Sequence, residues 1–209
     1  LATKLRGLYG ITDDLLLNST SKLLEFSEAV LQAGTGVIQY RAKNSANKLR
    51  LEQASLLVDL CAKYDAICII NDDVDLAYKL GCGVHLGRED GCLVKARKLL
   101  GINAVIGATC HNNLQFAKIA KGSGASYLAF GRFFLSNTKP NALSADFDIL
   151  TRAKRYDLPI VAIGGITLDN ARQVLKHDVD MLAVCYELFS LNNVQEVFLR
   201  AKQFTDLFL

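Results

Sequence analysis

Gln39, Arg41 and Lys43 alternate along the run Gly36–Lys43. If that run is a strand, all three side chains project to one face, and Ile38, Tyr40 and Ala42 project to the other. An arginine and a lysine confined side by side repel each other and lose hydration, so they need an anion or carboxylates to neutralise them. A phosphate or diphosphate suits both groups. The alternative is that Arg41 and Lys43 lie past the strand end, in solvent or in structural ion pairs.

Carboxylates follow at the ends of the next two apolar runs. Ile69-Ile70-Asn71-Asp72 delivers Asp72, and Val84-His85-Leu86-Gly87 leads through Arg88 and Glu89 to Asp90. Two carboxylates together with substrate phosphate oxygens and waters make the open kind of Mg²⁺ site. Asp73 or Asp75 could instead serve a helix N-terminus, and Glu89 or Asp90 could simply be solvated. Thr109 and His111 close a fifth run: Thr109 offers a hydroxyl to an anion or a cap to a helix starting near Asn112, and His111 is a rim or loop imidazole. His85, flanked by apolar residues, reads as a hydrogen-bonded interior histidine.

After the sixth run comes a connection of some fourteen residues from Gly131. Loops of that length in a compact domain usually carry function. Ser136, Thr138 and Lys139 provide two hydroxyls and a point charge for phosphate oxygens, and Pro140 stiffens the exit. The seventh run ends at Gly164-Gly165-Ile166-Thr167, where glycines let a ligand approach backbone amides near a helix start. Amides near Cys185 and Tyr186, after the eighth run, would complete a phosphate site of the kind many barrels possess.

The elements that must position these groups recur eight times. Strand candidates are 5–12, 36–43, 66–72, 83–87, 104–110, 126–131, 159–164 and 181–186, with amphipathic stretches near 21–34, 46–64, 73–81, 92–101, 112–122, 146–157, 167–177 and 192–209. Eight β-then-α units with short returns imply right-handed parallel crossovers. They predict a single (β/α)8 TIM barrel over 1–209, with its chemistry at the C-terminal strand ends. An open doubly wound sheet would usually carry a Gly-rich first βα turn, whereas this chain has Thr12-Asp13-Asp14 there.

A chain of 209 residues with 51% hydrophobic content can fill one core. With 24 basic against 21 acidic residues and no charged tail, a small anionic ligand is a better fit than nucleic acid. The six cysteines form no CxxC pair, which predicts reduced, mostly buried thiols in a cytoplasmic protein. No membrane span or secretory signal is expected.

Taken in order, Gln39-Tyr40-Arg41-Ala42-Lys43, Ile70-Asn71-Asp72, Gly83 through Asp90, Gly131 through Lys139 and Ala162 through Asn170 resemble the thiamine phosphate synthase (thiamine-phosphate pyrophosphorylase) family over nearly the whole chain. The resemblance implies a transferase that condenses hydroxymethylpyrimidine pyrophosphate with hydroxyethylthiazole phosphate, or its carboxylated form, and releases pyrophosphate with the help of Mg²⁺. It assigns Gln39, Tyr40, Arg41, Ala42, Lys43, Asn71, Thr109 and Lys139 to the pyrimidine pyrophosphate, with Arg41, Lys139 and Thr109 as the catalytic group. Asp72 and Asp90 would bind the metal, and Ser136, Asn137, Thr138, Gly165, Cys185 and Tyr186 the thiazole phosphate.

Three positions depart from the family pattern. Ala42 stands where Glu is common, Thr109 replaces a more usual Ser, and Tyr186 falls where a small Ser is common, setting a ring beside the thiazole phosphate site. Expected partners are small phosphorylated substrates, neither nucleic acid nor membrane, and a homo-oligomer is left open. Competing functions are a thiazole tautomerase of the related subgroup, using His111 for proton transfer, a non-catalytic thiamine phosphate sensor and, more remotely, a Schiff-base aldolase, for which Gly131-Arg132 stands where a lysine might be sought.

Overall fold

A computed structural model describes residues 5–135 and 144–209. Short runs rich in β-branched and aromatic residues form eight strands: β1 (Gly7–Ile11), β2 (Val37–Tyr40), β3 (Ile67–Asn71), β4 (Gly83–Leu86), β5 (Ile106–His111), β6 (Tyr127–Phe130), β7 (Ile160–Ile163) and β8 (Met181–Val184). Each pairs in parallel with its sequence neighbour and β8 returns to β1, closing the barrel. The expected (β/α)8 architecture is therefore observed.

Between the strands run α1 (Thr20–Gln32), α2 (Asn47–Lys63), α3 (Val74–Leu80), α4 (Leu93–Leu100), α5 (Leu114–Gly122), α6 (Asp148–Ala153) and α7 (Leu168–Leu175), with α8 (Tyr186–Phe189) and α9 (Val194–Thr205) after β8. Their starts follow local side-chain chemistry. Ser19 accepts a hydrogen bond from the Lys22 amide at 3.2 Å, Asp73 from Leu76 at 2.9 Å and Asn113 from Gln115 at 2.8 Å, each satisfying an amide with no partner inside its helix. Thr167 and Asn170 form a reciprocal capping box at α7. The cap of α5 is thus Asn113, which leaves Thr109 for another role.

Alternation along the strands divides the core into two layers. Leu8, Ile38, Tyr40, Ile70 and Val84 turn outward against the helices. Tyr9, Val37, Ile69, Tyr127, Val161 and Met181 fill the barrel interior. The inner layer is the usual plug of a small barrel, here with two phenols in it.

Strand ends are shorter than expected. β2 stops at Tyr40 and β8 at Val184, so Arg41 and Lys43 sit beyond a strand, and Tyr186 begins the four-residue α8 that the sequence reading folded into β8. All six cysteines are free thiols, but only Cys61, Cys68 and Cys110 are buried, so the expectation of mostly buried thiols is corrected to half. The thiol of Cys68 is held well above its ordinary value by contacts with Cys61 and Cys82 and by burial. No helix among the described residues is long and apolar enough to cross a membrane.

Candidate active site

The C-terminal strand ends surround a cavity of about 260 Å³. Gln39, Arg41, Asn71, Asp72, Asp90 and Thr109 line one side of it, from the ends of β2 to β5. Across it stand Gly165, Cys185 and Tyr186, from the ends of β7 and β8. Lys43 reaches this group through Asp72, its Nζ lying 3.2 Å from Oδ2. Ser136, Asn137, Thr138 and Lys139 lie outside the described residues.

The side chains of Tyr40 and Ala42 do not face the cavity. Both belong to the outer core, and the Tyr40 hydroxyl donates to Gln53 Oε1 on α2 at 2.8 Å. Burial pushes the Tyr40 phenol up to about 12. Of the two, only the backbone is left for a ligand, because alternation along β2 turns Gln39 inward and Tyr40 outward, while Arg41 reaches the cavity from beyond the strand end.

The cations are neutralised by carboxylates of the chain. Arg41 Nη1 sits 2.7 Å from Asp13 Oδ2, with both side chains largely covered. The Thr12 hydroxyl accepts from the Arg41 amide at 2.9 Å, and Asp14 accepts from the Asn44 amide at 2.7 Å and the Ser45 hydroxyl at 3.0 Å. Burial would raise the Asp14 carboxyl, but these donors hold it below the usual range. The first βα loop therefore clamps the second, a role that the sequence did not reveal for Thr12, Asp13 and Asp14.

Asp72 is fixed by its own neighbours. Its backbone adopts φ +65°, and Asn71 Nδ2 donates to Oδ2 at 2.6 Å. Asp73, one residue on, turns away to cap α3 and to pair with Arg50 at 2.9 Å. No group of three or more metal-binding side chains exists among the described residues. Two hard carboxylates on one cavity wall still suit Mg²⁺, which keeps several waters and takes substrate phosphates as ligands.

Five residues on five strands form one hydrogen-bonded chain at and below the base of the cavity. Gln39 Nε2 donates to the Tyr9 hydroxyl at 2.6 Å, the Tyr9 and Tyr127 hydroxyls meet at 2.7 Å, Tyr127 lies 2.9 Å from His85 Nδ1, and His85 Nε2 lies 2.9 Å from Thr109 Oγ1. His85 is thus the interior, hydrogen-bonded histidine that its neighbours suggested. Register explains how β4 reaches β6: His85 pairs with Gly107, and Gly107 with Tyr127. A Cβ at Gly107 would collide with the Tyr127 ring and come within 2.5 Å of His85 Nδ1. The sequence hid this chain, since nothing in the spacing of residues 9 and 127 says that they touch.

The opposite wall is built by close backbone approach. Gly165 has φ +65°, and a Cβ there would strike the carbonyl of Leu135, as one at Gly164 would strike Arg132. The glycines thus admit the chain's own β6 connection, where the sequence had suggested room for a ligand, while both still line the cavity. Arg132 was not anticipated as a site residue. It lines the cavity, and its Nη1 is buried without a hydrogen-bond partner among the described residues. Glu187 is raised by burial, with Arg200 pulling it back down.

Comparisons with known proteins bear on the family and the fold. A family model described as thiamine monophosphate synthase matches residues 8–188. Among solved structures, thiamine phosphate pyrophosphorylase from Pyrococcus furiosus is 33% identical, covers 97% of this chain and 95% of its own, and superposes with a TM-score of 0.85. The same-named protein from Bacteroides thetaiotaomicron, at 14% identity, covers 96% of each chain with a TM-score of 0.71, a likeness of fold. A 3-hexulose-6-phosphate synthase, at 17% identity over 96% of this chain and 98% of that one, shares the fold with a TM-score of 0.69. With the family match spanning most of the barrel and the archaeal relative aligned almost end to end, the chain belongs to the thiamine monophosphate synthase family.

Proposed function

We propose that this chain is a transferase that joins hydroxymethylpyrimidine pyrophosphate to hydroxyethylthiazole phosphate, giving thiamine phosphate and pyrophosphate, or to its carboxylated form, which in addition loses CO2 and takes up a proton at the vacated carbon. The observation that carries this reading is the single cavity on which Gln39, Arg41, Asn71, Asp72, Asp90 and Thr109 converge, with Gly165, Cys185 and Tyr186 facing them.

Departure of a diphosphate from a benzylic-type carbon needs positive charge at the leaving oxygens rather than a protein nucleophile. Arg41 and Lys43, with Lys139 from the β6 connection, supply that charge. Asp72 and Asp90 would hold Mg²⁺, which when bound adds a divalent charge beside the same oxygens. Lys43 lies 3.2 Å from Asp72, so its ammonium is held at the same end of the cavity as that carboxylate. The C–O bond breaks with both electrons leaving on pyrophosphate, and the thiazole nitrogen lone pair forms the new C–N bond. No proton moves in that step, so no base is required.

On the far wall, Gly165 and the backbone at Cys185 and Tyr186 would take the thiazole phosphate, and Ser136, Asn137 and Thr138 are further candidate ligands from the sequence. The unpartnered guanidinium nitrogen of Arg132 adds a donor on the same side. Binding both substrates in one mouth supplies much of the remaining rate.

A mass-resolved assay with both precursors, with and without Mg²⁺, tests the proposal. Metal-dependent formation of thiamine phosphate supports it. Isomerisation of the thiazole carboxylate without condensation would assign the chain to the tautomerase subgroup through His111, which also lines the cavity. Binding without turnover would make it a sensor.

A further inference from the structure

The floor of the cavity is a continuous hydrogen-bond chain, and its proton count is constrained. Gln39 Nε2 can only donate, so the Tyr9 oxygen accepts from it. The Tyr9 side chain is fully buried, and the Tyr127 oxygen at 2.7 Å is the acceptor available for its proton. Tyr127 must then donate to His85 Nδ1, which fixes His85 as the tautomer protonated on Nε2. Nε2–H in turn donates to Thr109 Oγ1, and the Thr109 hydroxyl proton is left pointing away from His85. No described residue donates to Gln39 Oε1. Gln39 and Thr109 line the cavity together with the edges of Tyr9 and His85; Tyr127 does not.

We infer that this buried chain is a selectivity device: Tyr9, Tyr127 and His85 act as positioning residues that lock the cavity floor as an acceptor at Gln39 Oε1 and a donor at the Thr109 hydroxyl. The inference rests on the function proposed above and names the part of the pyrimidine that the floor reads. A 4-aminopyrimidine offers the complement, an exocyclic amine that donates to Gln39 and a ring nitrogen that accepts from Thr109. An amine hydrogen bonded to a carbonyl keeps its lone pair available to the ring, and that electron supply is what stabilises a methylene cation at the ring's reacting carbon. A 4-oxopyrimidine, the deaminated product, would set its carbonyl against the Gln39 carbonyl and leave both without a donor.

The chain can present the opposite face only by reversing as a whole. Gln39 would have to rotate its amide, both tyrosyl protons would have to reorient, and His85 would have to move its proton to Nδ1. Burial opposes any partial change, because a half-reversed chain sets two donors or two acceptors against each other inside the barrel. Gly107 is part of the device, since it alone leaves space for the stacked His85 and Tyr127 rings, whose centroids are 5.6 Å apart.

The test has two arms, both on the whole 209-residue chain. In the first, ¹⁵N spectra of the histidine-labelled protein at neutral pH report the His85 tautomer, with His85→Gln identifying its signals among the three histidines. A bare Nδ1 and a protonated Nε2 are expected; the reverse tautomer, or a charged ring, overturns the inference. In the second, kcat/KM is compared for the amino and oxo forms of the pyrimidine pyrophosphate. Wild type should favour the amine by at least about 100-fold. Tyr127→Phe and Tyr9→Phe, which cut the chain and free the amide, should lower that ratio about tenfold or more while leaving KM for the thiazole phosphate within about twofold. An unchanged ratio in both variants also overturns it. If wild type makes no thiamine phosphate at all, the proposed function fails, and the tautomer arm still decides whether the chain has this polarity.

Discussion

Tyr9 and Tyr127 meet hydroxyl to hydroxyl at 2.7 Å inside the barrel although 118 residues separate them in the chain. Their rings cross edge to face at 85°, with centroids 5.9 Å apart. This contact ties β1 to β6 through the interior, and it joins Gln39 to the His85–Thr109 pair.

The two phenols make alkaline stability predictable. Burial raises both Tyr9 and Tyr127 above their ordinary value, and Tyr40 is pushed up to about 12. Folded pKa values above the unfolded ones mean that the folded chain holds protons the unfolded chain has lost. That stability is fully present below about pH 10 and is lost as pH rises, by up to about 1.4 kcal/mol per pH unit for each phenol. Urea midpoints measured from pH 9 to 11.5 should fall accordingly. Tyr127→Phe, though less stable at neutrality, should show a shallower slope.

Asp13 balances Arg41. Asp13→Asn leaves a largely covered guanidinium without its carboxylate, which should lower stability by roughly 3 kcal/mol in urea unfolding. Inorganic pyrophosphate should restore more of that loss than it adds to wild type, because an anion at the mouth replaces the missing charge. Equal stabilisation of both proteins would show that Arg41 does not face the diphosphate.

Asp72→Asn and Lys139→Ala should each lower kcat/KM at least about 100-fold, or roughly 2.7 kcal/mol of transition-state stabilisation. For Asp72→Asn, higher Mg²⁺ should recover part of the loss. Activity within a few fold of wild type in both variants would remove the roles given to them.

Tyr186 is half exposed at the start of α8 and lines the cavity. Tyr186→Ser should change KM for the thiazole partner by about threefold or more with little change in KM for the pyrimidine. Arg132→Ala should raise the same KM by about tenfold, the worth of one charge-assisted hydrogen bond. Steady-state kinetics with each substrate varied in turn separates the two effects.

Much of the barrel was legible because alternation and strand-to-helix order are local. The runs around Val37, Ile67, Ile106 and Ile160 mark their strands by β-branched residues, and Thr167-Leu168-Asp169-Asn170 carries its own capping box. Strand ends were less legible. Where β2 gives way to the Arg41 loop depends on Asp13 and Thr12 binding it from another loop. The start of α8 at Tyr186 was likewise read as strand, since four residues are too few to show a helical period.

By itself the sequence determined which residue types gather at the mouth, because strand-to-helix order brings the polar segments after β2, β3 and β4 to one rim. Only the tertiary structure decided how those groups are set. It paired Arg41 with Asp13 and Lys43 with Asp72, and threaded Gln39, Tyr9, Tyr127, His85 and Thr109 into one chain. Hydrogen-bond partners across a closed barrel are chosen by register between distant strands, and one missing side chain, at Gly107, opens the gap through which two of them meet.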